Sequence, residues 1–263
     1  MRRHWNIACG EFRKYSTYQV AALAGLFTNV VFGLLRSAVM TALFTERSVV
    51  GGFSQAQSLT YVWLTQGLMT VVQIYGSSEF AQRIQSGDIV TDLQRPIDPQ
   101  LMYLAADYGR AAYHTLYRGI PPVVIGALIS DLVCPTTAAM WVAFTASLVL
   151  AVAIGFLFRF LYGLTAFWLL DPRGVALVAV IVTNVFSGFV VPVSFFPGWL
   201  HAIAAATPFP GMVQIPIEIF TGAAQGWDAM RQLATQLAWV LGLLTCGRIV
   251  YARGRRHLVV QGG

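Results

Sequence analysis

The sequence is short of charged residues. Only 11% of its 263 residues are Asp, Glu, Lys or Arg, whereas an average soluble domain has roughly 25%. Hydrophobic residues make up 57% of the chain, and its mean hydropathy is +0.65. This composition excludes a soluble globular enzyme and indicates a polytopic membrane protein. At about 20 residues per membrane-spanning helix, there is room for six or seven spans but for no sizeable soluble domain.

Motifs for nucleotide, metal or nucleophile chemistry are also missing. Lys14 is the only lysine, and it lacks the glycine-rich context through which a P-loop lysine reaches phosphates. The three cysteines have no CxxC spacing and are predicted to be free thiols, the four histidines are scattered, and no Gly-x-Ser-x-Gly elbow occurs. We therefore expect no catalytic residue, metal or cofactor on this chain. The net charge of +6 is typical of membrane orientation signals and predicts no nucleic-acid partner.

Six apolar segments are long enough to cross a bilayer. They cover residues 19–43, 59–78, 113–133, 139–168, 175–195 and 233–251. Only helices and closed barrels satisfy their backbone groups in lipid, and these segments lack the alternation of barrel strands. The sequence therefore predicts an all-α polytopic membrane protein with six transmembrane helices, forming a single domain over residues 1–263.

The basic residues predict the orientation of these spans. If both termini are cytoplasmic, only Arg47 and Arg231 fall in external loops, and the other basic residues outside the spans lie on the inner side. Such a bias is the positive-inside signal. The two long connections are then the cytoplasmic segment 79–118 and the external segment 196–232.

The cytoplasmic segment contains the stretch SGDIVTDLQRPIDPQ, residues 86–100. Gly87 and Pro96 bracket a short amphipathic helix. Asp98 followed by Pro99 marks the start of the next helix, as an N-cap with proline at the first helical position. The apolar residues of the short helix are Ile89, Val90 and Leu93.

Pattern alone leaves two interpretations of this short helix. It either lies on the membrane surface or docks by its apolar face into a groove of a cytosolic partner. Asp88, which can cap the helix, and Asp92 weigh against the membrane surface, because anionic lipid headgroups repel carboxylates.

The external segment is broken by prolines into fragments too short to span a membrane. Two interpretations remain open. The fragments form a pair of re-entrant short helices that close the outer end of a substrate path, or they form an interfacial loop anchored by Trp199 and Trp227. The prolines are Pro197, Pro208, Pro210 and Pro216.

Polar and small residues inside the spans predict packing rather than chemistry. Arg36 and Arg159 are expected to snorkel toward the outer and inner interfaces, respectively. Gly25 and Gly33, with Asn29 between them, have a spacing that favours close helix packing or self-association.

The six spans and two stretches of sequence resemble the permease subunits of ABC-2 type transporters. These stretches are RIQSGDIVTDLQRPIDPQLMYLAADYGRA (83–111) and FPGWLHAIAAATPFPGMVQIPIEIFTG (196–222). They are similar in particular to a small bacterial subfamily that is made separately from its ATPase. The resemblance covers nearly the whole chain. It implies an exporter permease in the bacterial cytoplasmic membrane, paired with a second copy or a sister permease.

The resemblance also implies partners and site residues. Two cytosolic ATPase subunits would bind ATP and Mg²⁺, and an N-terminal helix at about 3–15 would lie along the membrane. Contact with the ATPase is assigned to Arg83, Ile84, Asp88, Ile89, Val90, Asp92, Leu93 and Arg95. An external gate is assigned to Pro197, Trp199, Pro208, Pro210, Pro216 and Glu218.

Two other classes of protein remain as alternatives. A stand-alone secondary transporter or channel would carry carboxylates within its spans, and no span here contains a pair of them. An intramembrane enzyme such as a lipid transferase would need an acidic cluster or a nucleophile at one membrane face, whereas only scattered Asp residues are present. Neither the substrate nor its contact residues follow from the sequence.

Overall fold

The protein is described from a computed structural model, which covers residues 2–17, 19–45, 49–75, 78–94, 96–169 and 171–257. The predicted all-α fold is confirmed over these residues, apart from a small antiparallel hairpin of β1 (Val49–Val50) and β2 (Phe53–Ser54). The α-helices are α1 (Arg2–Ser16), α2 (Gln19–Leu43), α3 (Gln55–Val71), α4 (Glu79–Gln85), α5 (Ile89–Leu93), α6 (Pro99–His114), α7 (Ile120–Ile129), α8 (Ala138–Gly163), α9 (Arg173–Phe186), α10 (Gly198–Ala205), α11 (Gln214–Phe220) and α12 (Trp227–Gly254).

Short helical turns of other kinds connect several of these helices. A π-helical segment at Thr115–Gly119 joins α6 to α7, so the three form one continuous helical unit. The 3₁₀ turns are Leu164–Phe167, Val193–Phe195, Phe209–Met212 and Arg255–His257.

Each of the six predicted apolar segments is largely helical, but the helices differ in length. Within the described residues, 3 helical stretches are long and apolar enough to cross a membrane, namely Ala22–Leu43, Ala138–Phe167 and Trp227–Gly254. The apolar α9 has 14 residues, and at 1.5 Å per residue it is about 21 Å long, short of the roughly 30 Å hydrocarbon core. The membrane-embedded character is therefore clear, and the count of six spans stays a prediction.

Two predicted span ends are wrong. The second span was expected to reach residue 78, but α3 ends at Val71, and Gln73 then adopts a left-handed backbone with φ 57°. The fifth was expected to reach residue 195, but α9 ends at Phe186, and Gly188 turns the chain with φ 84°. Hydropathy continues past both points, so only the backbone turns mark the true ends.

The small residues of α2 contact α3 within the chain. A Cβ on Gly33 would lie 2.6 Å from the ring of Trp63, and one on Gly126 of α7 would lie 2.4 Å from it. Trp63, which is 0% exposed, is therefore clamped between two glycines. Asn29 donates from Nδ2 to the carbonyl oxygen of Gln66 at 3.0 Å. The predicted close packing is confirmed, and it joins helices of one chain.

The core is centred on α8, against which α11 and α12 pack. Its fully buried side chains include Ile154, Leu157, Phe160, Met212 and Ile217.

The N-terminal helix packs against α6. The predicted helix at 3–15 is confirmed as α1, Arg2–Ser16. A Cβ on Gly109 of α6 would lie 2.0 Å from the carbonyl oxygen of Ala8, so the two backbones are in direct contact. Phe12 meets Tyr113 edge-on, with ring centroids 5.8 Å apart. The glycine is what allows this approach, because any larger side chain would collide with backbone.

Candidate functional site

The segment that the sequence predicts to be cytoplasmic contains two short helices, α4 and α5, joined by a tight turn. Ser78 caps α4 by accepting from the backbone nitrogen of Ala81 at 3.3 Å. Gly87 turns the chain with φ 80°, as its predicted helix-breaking role requires. The predicted cap at Asp98 is confirmed, because its Oδ1 accepts from the backbone nitrogen of Leu101 at 3.0 Å and Pro99 begins α6.

Asp88 was predicted to cap α5, and this is wrong. Its side chain makes no capping hydrogen bond to that helix. Instead, Oδ2 of Asp88 accepts from the Ser86 hydroxyl at 2.8 Å. The reason is that Asp88 itself has helical backbone angles, φ −62° and ψ −17°, whereas a capping residue has an extended backbone.

A buried carboxylate holds α4, α5 and α6 together. Asp92 is 2% exposed, and its Oδ2 accepts from Nε of Arg83 at 2.6 Å and from the Tyr103 hydroxyl at 2.6 Å. Burial raises the pKa of Tyr103, and the hydrogen bond to Asp92 raises it further, so the phenol stays a donor. Nη2 of Arg83 also donates to the Thr91 hydroxyl at 3.2 Å.

The apolar residues of the motif face inward. Ile84 is 9% exposed and Ile89 is 0% exposed, and both belong to the protein's own core, against which Val90 is half-buried. The expectation that Ile89 is offered to a partner is therefore wrong, because Ile89 is already covered within the chain. The Leu93 side chain and the whole of Arg95 lie outside the described part of the structure. The exposed residues of the turn and of α5 are Ser86, Gly87, Asp88, Thr91 and Gln94.

We expect Asp92→Asn to loosen this motif. The substitution removes the charge that Arg83 and Tyr103 share, and hydrogen bonds to charged groups contribute about 1.5–3 kcal/mol each. Trypsin should therefore cleave after Arg83 faster in the detergent-solubilised variant than in the wild type. Asp88→Asn is the matched control, because Asp88 is exposed and should leave the cleavage rate unchanged. Equal rates of tryptic cleavage for Asp92→Asn and wild type would contradict the conclusion that Asp92 holds α4, α5 and α6 together.

A second ionic cluster, which was not predicted from the sequence, lies at the C-terminal end of α3. Asp107 accepts from Nε of Arg110 at 2.7 Å and from Nη2 of Arg159 at 2.8 Å. The three residues are 8%, 5% and 8% exposed, respectively. Arg159 therefore does not snorkel as predicted, because it has a buried counter-charge 52 positions away in the sequence. The one signal in the sequence was the i, i+3 spacing of Asp107 and Arg110.

The same guanidinium groups bind the last carbonyl groups of α3. Arg110 donates to the carbonyl oxygens of Thr70 and Val71 at 2.7 and 2.9 Å. Arg159 donates to those of Val72 and Gln73 at 2.6 and 2.9 Å. The carbonyl groups at a helix C-terminus lack intrahelical partners and carry partial negative charge. The two arginines supply both donors and positive charge, which explains why α3 can end at Val71 instead of continuing to residue 78.

Arg36 of α2 joins two parts of the chain that are far apart in the sequence. Its Nη2 donates to the carbonyl oxygens of Phe189 and Val190, both at 2.7 Å, and its guanidinium lies 5.4 Å from the ring centroid of Phe189. It thus links α2 to the turn after α9. These two carbonyl groups are more than 150 positions away, so no local pattern in the sequence indicates them.

The segment 196–232, which the sequence predicts to be external, contains the short helices α10 and α11. Pro197 precedes α10, Pro208 and Pro210 lie at the 3₁₀ turn Phe209–Met212, and Pro216 lies in the first turn of α11. Proline is tolerated there because the first helical N–H groups have no intrahelical partner. Trp199 is 68% exposed. By contrast, α11 is mostly buried, which fits a broken helix folded against protein better than a loop lying at the interface.

Glu218 of α11 lies at the centre of a polar network. Its Oε1 accepts from Nε2 of Gln214 at 2.7 Å, and its Oε2 accepts from Nε2 of Gln232 of α12. Oε1 of Gln214 in turn accepts from the Tyr61 hydroxyl at 2.6 Å and from the backbone nitrogen of Val193 at 3.0 Å. The network therefore connects α3, α11, α12 and the turn after α9. A cavity of about 410 Å³ lies beside it.

The arrangement defines a class of protein. Long apolar helices surround a packed core, and buried charges hold helix ends together rather than activating a nucleophile. In the described part of the chain, no group of three or more His, Cys, Asp or Glu side chains is placed to hold a metal ion. These features are those of a helical, membrane-embedded protein whose buried charges join the ends of its helices.

Comparison with known proteins then identifies the family. The family model described as ABC-2 family transporter protein matches residues 29–262. The chain belongs to this family, and the resemblance seen in the sequence is confirmed. None of the curated proteins compared matches the chain. Members of this family are membrane-embedded transport subunits that generally work with an ATPase partner.

Proposed function

We propose that the chain is the permease subunit of an ATP-driven exporter whose ATPase is a separate cytosolic protein. The family match over residues 29–262 carries this proposal. The lack of a P-loop in the sequence supports it further, because energy must then come from a partner. ATP and Mg²⁺ are bound by that partner, and this chain holds no cofactor of its own.

The proposed topology has six spans in a bacterial cytoplasmic membrane, with both termini in the cytoplasm. The spans are α2, α3, the segment 113–133 that contains α7, α8, α9 and α12. A second permease, either another copy or a sister chain, completes the transmembrane assembly. The predominance of basic residues on the side of α1 and of the C-terminal end of α12 supports this orientation.

The proposed contact with the ATPase is the segment 83–95, through its polar outer face. Ile84 and Ile89 are buried in the permease core, so what the segment presents outward is the turn at Gly87 with Asp88 and Thr91. Because Asp92 joins this segment to α6 through Tyr103, movement of the segment is transmitted to a long helix. A contact of this kind transmits force only if it differs between the two states of the ATPase.

The external gate is the second part of the proposal. The helices α10 and α11 close the outer end of the substrate path, with Pro197, Pro208, Pro210 and Pro216 setting their ends. The burial of α11 against α8 supports a gate that is packed on the protein and displaced during transport.

Charge reversal at Asp88 tests the proposed contact. Purification of the wild-type chain from its native membrane should yield an associated ATPase. Asp88→Arg should lower ATP hydrolysis stimulated by the permease at least about tenfold, because like charges placed against each other at an interface cost several kcal/mol.

The control for this experiment is Gln225→Arg, an exposed position between α11 and α12 on the opposite side in the proposed topology, which should leave ATPase activity unchanged. If no ATPase accompanies the wild type, the permease assignment is wrong. If Asp88→Arg keeps full activity, the contact lies elsewhere. Transport by the purified chain in vesicles without nucleotide would identify a secondary transporter instead.

A further inference from the structure

The cavity beside Glu218 has the size and lining of a ligand site. Its volume of about 410 Å³ falls within the roughly 300–1,000 Å³ range of small-molecule pockets. It lies between the 3₁₀ turn Phe209–Met212, α11 and the first turns of α12. Its charged or amide-bearing lining residues are Gln214, Glu218, Asp228, Arg231, Gln232 and Gln236.

The carboxylate of Glu218 has amide partners but no counter-charge. Gln214 and Gln232 donate to its two oxygens, and no ion pair joins it to any residue that the structure describes. The cavity wall also contains Asp228 and Arg231, which are exposed and three residues apart on α12. Their charges offset each other, and His201 in the wall is exposed. The half-buried Glu218 therefore leaves the cavity with an unbalanced negative charge.

Two glutamine amides in the wall have fixed orientations. Gln232 donates from Nε2 to a carboxylate, and Gln236 donates from Nε2 to the carbonyl oxygens of Ser147 and Gly211 at 3.2 and 2.8 Å. Those partners are acceptors only, so neither amide can be flipped without losing its bonds. The Oε1 atoms of both residues are therefore acceptors, and within the described residues neither has a donor.

We infer that this cavity binds an organic ammonium ion that carries N–H groups. Its positive charge balances Glu218, and its N–H groups can donate to the carboxylate oxygens of Glu218 in the cavity wall. The half-buried indole of Trp239 also lines the cavity, and aromatic faces attract cations. The inference rests on the proposed function only for the side of the membrane on which the cavity opens, which is the outer side.

Two sources can supply the same chemistry. A soluble primary amine can enter from the aqueous phase, and the headgroup of phosphatidylethanolamine can enter from the bilayer. Both carry a primary ammonium group, so the protein contacts are the same for either, and the choice of membrane in the experiment distinguishes them.

The test compares two ligands of equal charge on the purified full-length chain. Calorimetric titration in nanodiscs of phosphatidylcholine uses benzylamine and, as its matched analogue without N–H groups, benzyltrimethylammonium. Benzylamine should bind at least about tenfold more tightly, because hydrogen bonds to charged groups contribute about one to two powers of ten in affinity. Equal affinities, or no binding of benzylamine, would overturn the inference.

Two variants locate the site. Glu218→Gln should weaken benzylamine binding about tenfold or more, whereas Glu79→Gln, at an exposed position of α4, should not change it. Because Glu218→Gln also alters the amide network, Arg231→Gln provides a gain-of-affinity test that a folding defect cannot imitate. Removal of this exposed positive charge should tighten benzylamine binding severalfold. Unchanged affinity in both Glu218→Gln and Arg231→Gln would place the ligand elsewhere.

A second membrane composition identifies the source. If the lipid headgroup occupies the cavity, benzylamine affinity falls in nanodiscs that contain phosphatidylethanolamine, and this supports the inference with a lipid ligand. If the affinity is the same in both membranes, the ligand is a soluble amine. The titration tests only the ammonium site, and copurification of an ATPase tests only the permease assignment. The two proposals can therefore fail independently of each other.

Discussion

Asp107→Asn is expected to destabilise the folded protein by about 3–5 kcal/mol, the usual cost of removing one partner from a buried ion pair. The carboxylate of Asp107 is the counter-charge for both Arg110 and Arg159. Without it, two guanidinium groups remain buried at the end of α3, held there only by carbonyl groups. An asparagine side chain keeps the volume but presents one acceptor instead of two charged oxygens.

The measurement is the temperature at which the detergent-solubilised protein loses its monodisperse peak. Asp171→Asn is the control, because Asp171 also pairs with an arginine, Arg173, but at an exposed position. Surface pairs contribute little to stability, so this control should behave as wild type. If Asp107→Asn is as stable as the control, the cluster of Asp107, Arg110 and Arg159 does not contribute to stability as proposed.

Gly109→Val is expected to detach α1 from α6. The Cβ would lie 2.0 Å from the carbonyl oxygen of Ala8, a distance at which one of the two backbones must move. Cys9, which is half-buried in α1, then becomes accessible. The experiment uses a background with Cys134→Ser and Cys246→Ser, so that maleimide reacts only with Cys9. With Gly109→Val, Cys9 should be labelled at least about tenfold faster than with Gly109 intact. Each 1.4 kcal/mol by which the substitution disfavours the packed arrangement of α1 raises the population of the detached arrangement tenfold.

The neighbouring Gly10 provides the control for this labelling. A Cβ at Gly10 has no other atom within 4 Å, so Gly10→Ala should leave the labelling rate unchanged while favouring the helix. Rapid labelling of Cys9 already in the background with Gly109 intact would show that α1 is not held against α6.

Elements whose signals are local were predicted correctly. The cap at Asp98 with Pro99 and the breaks at the prolines of segment 196–232 each depend on neighbouring residues, and each is present. The helix at residues 3–15, which the family resemblance implied, is also present. By contrast, local sequence does not show which part of the protein, or which partner, covers the apolar face of a helix. The apolar residues of α5 were correctly identified, but the surface that covers Ile89 belongs to the chain itself.

The polar centres of the molecule depend on residues far apart in sequence. Asp107 and Arg159 are separated by 52 positions, and Tyr61 and Gln214 by 153. Each of these residues alone indicates only a polar group near or within a span, for which snorkelling or helix packing is the ordinary expectation. These polar side chains meet only because α3, α6 and α8 pack together, and the sequence of any one segment does not show that packing.

The bond between Arg36 and the turn after α9 has a consequence for biosynthesis. The carbonyl oxygen of Phe189 that Arg36 binds is 153 positions further along the chain, so at about 5–20 residues per second it is made roughly 8–30 s after the arginine. During that interval α2 contains a guanidinium without its acceptors, which disfavours insertion by up to about 2.5–3.5 kcal/mol. The first membrane helix is therefore fully stabilised only once the turn after α9 has been synthesised and has folded back onto it.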